Sequence, residues 1–360
     1  MSEESVLEIL HSKSVVILTG PGGVGKTSCA ASIAIGAALS GINTAVVTID
    51  PAKRLANALG LESIGNDPVE IPMGGAGSLS AVMLDADATF DALIKRYAKS
   101  QEQVEAILAN KVYQNLTQYL SGIQEYMAME KIFELHNDPR FDLLIVDTPP
   151  SANALDFLDA PRRLVSFLDN KVFKIIMSPS SSFLKPISFA TRAVLKTISK
   201  VVGAEIVDEA VAFFKDFEGM EEGFRARAIE VGELLKSEKT TFFLVTSPRT
   251  NTIVDAKDFG EKLISYGFSI ARIISNREVP SFSGDDHESG ALDDLVPSDL
   301  DVLSENLKKI ELLRNVEQKD IDEMAFGLRA DGLIHVADNG AGLSSIEDLA
   351  HLASSIISPN

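Results

Sequence analysis

An apolar run, Val15-Val16-Ile17-Leu18, leads almost directly into Gly20-Pro21-Gly22-Gly23-Val24-Gly25-Lys26-Thr27. The second run meets the pattern G-x-x-x-x-G-K-[ST] at Gly20, Gly25, Lys26 and Thr27. An Ala- and Ile-rich stretch continues to Leu39 and reads as a buried helix, ended by Gly41. Strand, glycine turn and helix in that order form a cradle for phosphate. Glycines let backbone N–H groups curl around phosphate oxygens without Cβ clashes. The helix adds its positive N-terminal end. Lys26 is expected to reach the β and γ phosphates of ATP, and Thr27 to offer its hydroxyl oxygen to Mg²⁺. The expected nucleotide contacts are Gly20 to Thr27, with Pro21, Gly22, Gly23 and Val24 inside that span, together with Ser28.

Two aspartates strengthen this reading. Asp147 follows the apolar run Leu143-Leu144-Ile145-Val146 and is the expected carboxylate for Mg²⁺, reached through water. Asp50 follows a run from Ala45 to Ile49. In an open α/β sheet ligands sit at the carboxyl ends of strands, so both acids should face the crevice that holds the glycine loop. Further β runs are expected at Leu79–Leu84, Phe141–Val146, Thr241–Thr246, Ile270–Ser275 and Leu333–Val336. Apolar strands alternating with helices define the expected fold class: α/β, a P-loop NTPase with a mostly parallel sheet covered by helices on both faces. The whole chain, 1–360, is expected to be a single such domain. Helical insertions at about 87–137 and 161–238 would form a subdomain. In the first, Phe90, Leu93, Ile94 and Tyr97 fall on one helical face. The second contains the breaker cluster Ser178-Pro179-Ser180-Ser181-Ser182, expected to be a hinge.

Composition narrows the function. A net charge of -19 disfavours nucleic acid as a partner. Cys29 is the one cysteine, so no disulfide forms within the chain and a thiolate metal site is not expected. The start, MSEESVLEIL, lacks the basic and apolar regions of a signal peptide, and no apolar run is long enough to span a bilayer. The expected location is cytoplasmic.

Gly-Gly-Val-Gly-Lys-Thr after a strand, then Ile49-Asp50-Pro51-Ala52, then Asp147-Thr148-Pro149-Pro150, resembles the arsenical pump-driving ATPase family. That family includes the tail-anchored-protein targeting ATPases and belongs with the deviant Walker A ATPases. The resemblance covers most of the chain, and it implies a dimer that sandwiches ATP. Asp50 matches the switch I aspartate that orients or deprotonates the attacking water, and the segment from Asp147 looks like switch II. Asn276 matches the asparagine that recognises adenine, and the segment from Val336 to Asn339 sits where the family closes over the base.

Departures from the family pattern are informative. Pro21 stands where the family has a lysine that reaches the partner's phosphates. Such a cation can be worth about 10³–10⁵ in rate. Catalysis is therefore slow, or Lys53 or Arg54 substitutes, or a paralogue supplies the lysine. Ser247-Pro248-Arg249 replaces the family's Pro-Glu, which removes a carboxylate that would touch nucleotide. The zinc-binding cysteine pair and the arsenite-binding cysteines are absent, so metalloid transport is not expected.

From Asn170 to Ala204 there is no acidic residue, while Arg192, Lys196 and Lys200 form one helical stripe. Val194, Leu195, Ile198, Val201 and Val202 line the companion face. That pattern suits an anionic membrane surface or an amphipathic client helix, and equally a helix packed on the domain with a solvated basic edge. The leading functional expectation is an Mg²⁺-dependent ATPase, a homodimer or a heterodimer with a paralogue, whose opening and closing controls capture of a hydrophobic or membrane-protein client. The alternatives are a catalytically weak nucleotide-gated subunit of a heteromeric ATPase, or a positioning ATPase of the cell-division or partition type.

Overall fold

The computed structural model describes residues 4–50, 54–114, 122–149, 154–170, 204–281, 297–338, 340 and 345–358. Most of the basic stretch, the serine cluster at 178–182, Lys53, most of the acidic run 281–298 and Asn339 lie outside the described residues.

The chain divides into two compact units, one of Met1–Met83, Asp138–Ala154 and Glu238–Asn360, the other of Leu84–Asn137 and Leu155–Ser237. The first opens with α1 (Val6–Ser12), β1 (Val15–Thr19), α2 (Lys26–Leu39), β2 (Thr44–Thr48), α3 (Arg54–Ala58), β3 (Val69–Ile71) and β4 (Leu79–Met83). The second supplies α4 (Ala86–Tyr97), α5 (Gln101–Ala109) and α6 (Ile123–His136). The chain then returns through β5 (Leu143–Asp147) and leaves along α7 (Ala154–Asp169), α8 (Ala204–Asp216) and α9 (Glu221–Lys236). It closes with β6 (Thr240–Thr246), α10 (Thr250–Ser265), β7 (Ile270–Glu278), α11 (Pro297–Leu328), β8 (Leu333–Ala337) and α12 (Ile346–Ile357).

Among the described residues the sheet has eight strands in the order β3-β4-β2-β5-β1-β6-β7-β8. Every neighbouring pair is parallel except β3 with β4. The central strands β1, β2, β5 and β6 are buried along their whole length, which is why they read as continuous Val, Ile, Leu and Phe runs rather than alternating ones. This is the α/β arrangement expected from the sequence. The β5 run sits two residues later than the expected start at Phe141 and ends on Asp147 itself. Among the elements not marked from the sequence are the short edge strand β3, in which only Ile71 is buried, and the long helix α11.

Helix α2 is buried almost all round, from Cys29 to Ala38. Its small residues let neighbours approach closely. A Cβ on Gly36 would strike the side chains of Ile357 and Ala353, so α12 lies directly against α2. That packing holds the helix that follows the glycine loop.

The helical unit has its own core of Phe90, Leu93, Ile94, Ile107, Tyr126, Met127, Phe213, Phe217, Met220 and Phe224 among others. Its aromatic rings pack at ordinary van der Waals geometry, with Phe217 and Phe224 centroids 5.0 Å apart and Phe90 and Tyr113 also 5.0 Å apart. Glu130 and Arg227 form a bidentate ion pair inside this unit, with Arg227 Nη2 2.6 Å from Glu130 Oε1 and Nε 2.9 Å from Oε2. No helix among the described residues is long and apolar enough to cross a membrane.

Candidate functional site

The glycine loop runs from the end of β1 to the start of α2, at the carboxyl edge of the sheet. Gly20, Gly23 and Gly25 all have positive φ, at 143°, 79° and 94°. A Cβ on Gly20 would overlap the Val245 carbonyl oxygen of β6, and one on Gly25 would overlap the Asn276 amide of β7. Only glycine fits these two positions, on both backbone and packing grounds. Gly25 is the N-cap of α2 and offers no side-chain cap, and the first turn carries no acid. The helix's opening N–H groups are left for an anion.

Around that loop is a cavity of about 730 Å³. Its lining includes Gly22, Gly23, Gly25, Lys26, Thr27, Ser28, Asp50, Arg54, Thr148 and Arg277. The Lys26 Nζ donates to the Gly20 and Pro21 carbonyls at 3.0 and 2.8 Å. Burial pushes its pKa down, partly offset by Asp147. Asp147, the last residue of β5, is 1 % exposed. Its Oδ2 accepts from the Thr27 hydroxyl at 2.7 Å and from the Thr48 hydroxyl at 3.1 Å. Burial pushes its pKa up to about 6, against the lowering effect of Thr27, Lys26 and Thr48. Asp50 carries Arg54, four residues further along the chain, at 3.3 Å.

The site offers a fit for a hard cation. Asp147 Oδ1 is buried without a hydrogen-bond partner. An unsatisfied buried carboxylate oxygen calls for a cation or ordered water. The donors around it are oxygens from one carboxylate and two hydroxyls, the sparse all-oxygen set with which Mg²⁺ keeps several waters and takes phosphate oxygens. Among the described residues no group of three or more His, Cys, Asp or Glu forms a cage for a softer metal.

Of the sequence candidates, Gly20, Pro21, Val24, Asp147, Asn276 and Val336 are not in the cavity lining, and the last two lie together. Asn276 and Val336 are register partners on β7 and β8, both buried. The Asn276 amide donates to the Val24 carbonyl at 2.8 Å and so holds the glycine loop from behind. Arg249, in the Ser-Pro-Arg departure, is the N-cap of α10. Sequence reasoning did not single out Thr48 or Arg277, and it named Thr148 only within the segment from Asp147 that resembles switch II. Thr48 lies two residues before Asp50 and Arg277 directly after Asn276, which is the only signal that could have drawn attention to them.

A parallel sheet that presents a glycine loop, an uncapped helix start, a lysine and a strand-end aspartate defines a P-loop NTPase fold. Residues 13–293 match the profile of the anion-transporting ATPase family, and the chain belongs to that family. It is 27 % identical over 287 residues to ATPase GET3B of Arabidopsis thaliana, covering 75 % of this chain and 65 % of that protein. To ATPase GET3 of Malassezia globosa it is 27 % identical over 272 residues, covering 75 % and 74 %. To ATPase ARSA1 of Chlamydomonas reinhardtii it is 26 % identical over 300 residues, covering 75 % of this chain but 35 % of that protein.

Proposed function

We propose that this chain is an Mg²⁺-dependent ATPase whose nucleotide state controls a hydrophobic client. The observation that carries the reading is the convergence of Lys26, Thr27 and Asp50 on one cavity around an uncapped helix start, with the buried Asp147 hydrogen-bonded to Thr27. In this reading the backbone of Gly20 to Gly25, with Lys26 and Ser28, binds the phosphates. Thr27 and Asp147 would hold Mg²⁺, which would supply positive charge to neutralise the phosphates. Asp50 orients the attacking water, and Arg54 fixes the carboxylate in place. Asn276 and Val336 serve the base end of the site, Asn276 also as a brace for the loop.

The helical unit is the client-handling subdomain of a single ATPase domain. It encloses a cavity of about 250 Å³ lined by Phe90, Tyr126, Met127, Phe213, Phe217 and Phe224, among others. An apolar aromatic lining of that kind suits an aliphatic or aromatic side chain of a client. The protein works as a homodimer or with a paralogue, in the cytoplasm, and the basic and apolar sequence pattern of 170–204 supports a client helix or membrane surface as its partner. Pro21 brings no charge to the loop, which favours slow turnover by the chain alone and keeps a nucleotide-gated subunit of a heteromer as the second reading.

The test is ATP turnover by the purified chain across protein concentrations, beside Asp50→Asn. A rate that rises with concentration and is abolished in the variant supports a catalytic dimer. Tight ATP binding without turnover in either protein supports the gated subunit and sinks the catalytic reading.

A further inference from the structure

Arg277 is one of the two residues other than glycine with positive φ among the described residues, at 62°. Left-handed backbone is unfavourable for a residue with a Cβ, and such strain persists where the surroundings impose it. Here they do so from both sides. The pairing of β7 with β8 slips between Asn276 and Glu278, a bulge centred on Arg277. Before it, the buried Asn276 amide is fixed to the Val24 carbonyl. After it, the Glu278 carboxylate meets His335 Nδ1 at 2.8 Å, and the Glu278 carbonyl accepts from the Asp338 amide. Two anchored neighbours and one extra residue turn the Arg277 side chain out of the sheet, to the wall of the phosphate cavity.

The charge of that cavity gives the side chain a use. Its described lining carries Asp50 with Arg54 bound to it. The buried Lys26 faces Asp147, which bounds the site beneath Thr27. Arg277 donates from Nη1 to the Gly23 carbonyl at 3.1 Å, a neutral acceptor. It therefore brings positive charge to the loop without a carboxylate claiming it in that bond, and its planar fork suits phosphate oxygens. We propose that Arg277 is a phosphate-binding residue of the nucleotide site, aimed at the loop by the β7 bulge. The proposal rests on the nucleotide-binding reading above.

The experiment is titration of the full chain with a fluorescent ATP analogue at low and high salt, for the natural protein, Arg277→Gly, Arg277→Lys and Lys26→Ala. Glycine keeps the left-handed backbone and removes the guanidinium. Deleting a charge-assisted hydrogen bond in this way should weaken binding about tenfold or more at low salt. The gap should narrow at high salt, as screening predicts, and lysine should recover part of it. Melting temperature should be unchanged or raised in the glycine variant, since strain is relieved. Unchanged affinity in Arg277→Gly while Lys26→Ala abolishes binding overturns the proposal and leaves the site standing. A lowered melting temperature with no rescue by lysine makes Arg277 a brace for Gly23 and also overturns it. No ATP binding by the natural protein removes both readings at once.

Discussion

The Glu130–Arg227 pair is a buried ion pair whose cost and value can be separated. Both side chains are under a tenth exposed, and the two Arg227 nitrogens grip one carboxylate. Arg227 also lies 4.0 Å from the centre of the Phe133 ring and 3.6 Å from the more exposed Glu230. Removing one partner of a buried pair costs roughly 3–5 kcal/mol, because the other is left charged and dry. Glu130→Leu should fall at the low end, near about 3 kcal/mol, since Phe133 and Glu230 still compensate Arg227. Arg227→Met should cost about 3–5 kcal/mol at pH 7. The double variant, apolar on both sides, should return to within about 1 kcal/mol of the natural protein or exceed it. The Arg227→Met cost also depends on pH with a definite sign. Burial already raises the Glu130 pKa, and losing Arg227 removes the main effect that lowers it. A raised folded pKa means the folded state holds its proton where the unfolded state, with a pKa of about 4.3, has lost it. The Glu130 contribution to the variant's stability is therefore fully present below about pH 4.3 and is lost as pH rises through the folded value. There is no tryptophan, so urea unfolding is best followed by far-UV circular dichroism at pH 4.5 and pH 7. Additive single costs below 1 kcal/mol, or an Arg227→Met penalty that grows toward acid, would refute the reasoning.

Gly25→Ala combines backbone strain with a collision against the Asn276 amide, so it should lower stability by about 2–4 kcal/mol. Adding Asn276→Ser should make the pair clearly less than additive in thermal melts, because the obstacle is gone. Cys29 is fully buried and its thiol pKa is pushed up to about 12 by burial, so iodoacetamide should label it only after denaturation. The His335 pKa is raised by its hydrogen bond to Glu278, so its NMR titration should move down in Glu278→Gln. The stabilisation it brings is present below the unfolded histidine pKa and lost as pH rises through the folded one. Being partly exposed, it should be worth under about 1 kcal/mol, read as the difference between His335→Gln and the natural protein at pH 6 and pH 9.

What could be read from the chain alone divides by the range of the interactions. The sheet class was legible because buried parallel strands write themselves as unbroken apolar runs, as in Leu143 to Val146 and Thr241 to Thr246. β3 was not, because Val69 and Glu70 face solvent and only Ile71 is buried. α11 was not, because Val302, Leu312, Val316 and Phe326 stand exposed and blur the single apolar stripe that marks a packed helix. The glycine loop was legible as a local pattern. The Asn276 bond to Val24 spans 252 residues, and the bulge that turns Arg277 depends on pairing with β8, so no local window contains either. The strand order, with β5 between β1 and β2, is likewise a property of the assembled sheet.

The seating of Gly36 against Ile357 and Ala353 has a consequence in time. The helix that presents the phosphate loop is made early, and the helix that covers it is the last described element to be made. At roughly 5–20 residues per second, a growing chain leaves the small-residue flank of α2 uncovered for on the order of tens of seconds. Through that interval the early strands can pair and the glycine turn can form, but the loop's supporting helix has no lasting partner on that side. The late helix α12 thus acts as a latch on α2, and a chain interrupted before Ile346 would carry the whole loop sequence on an unsecured mount.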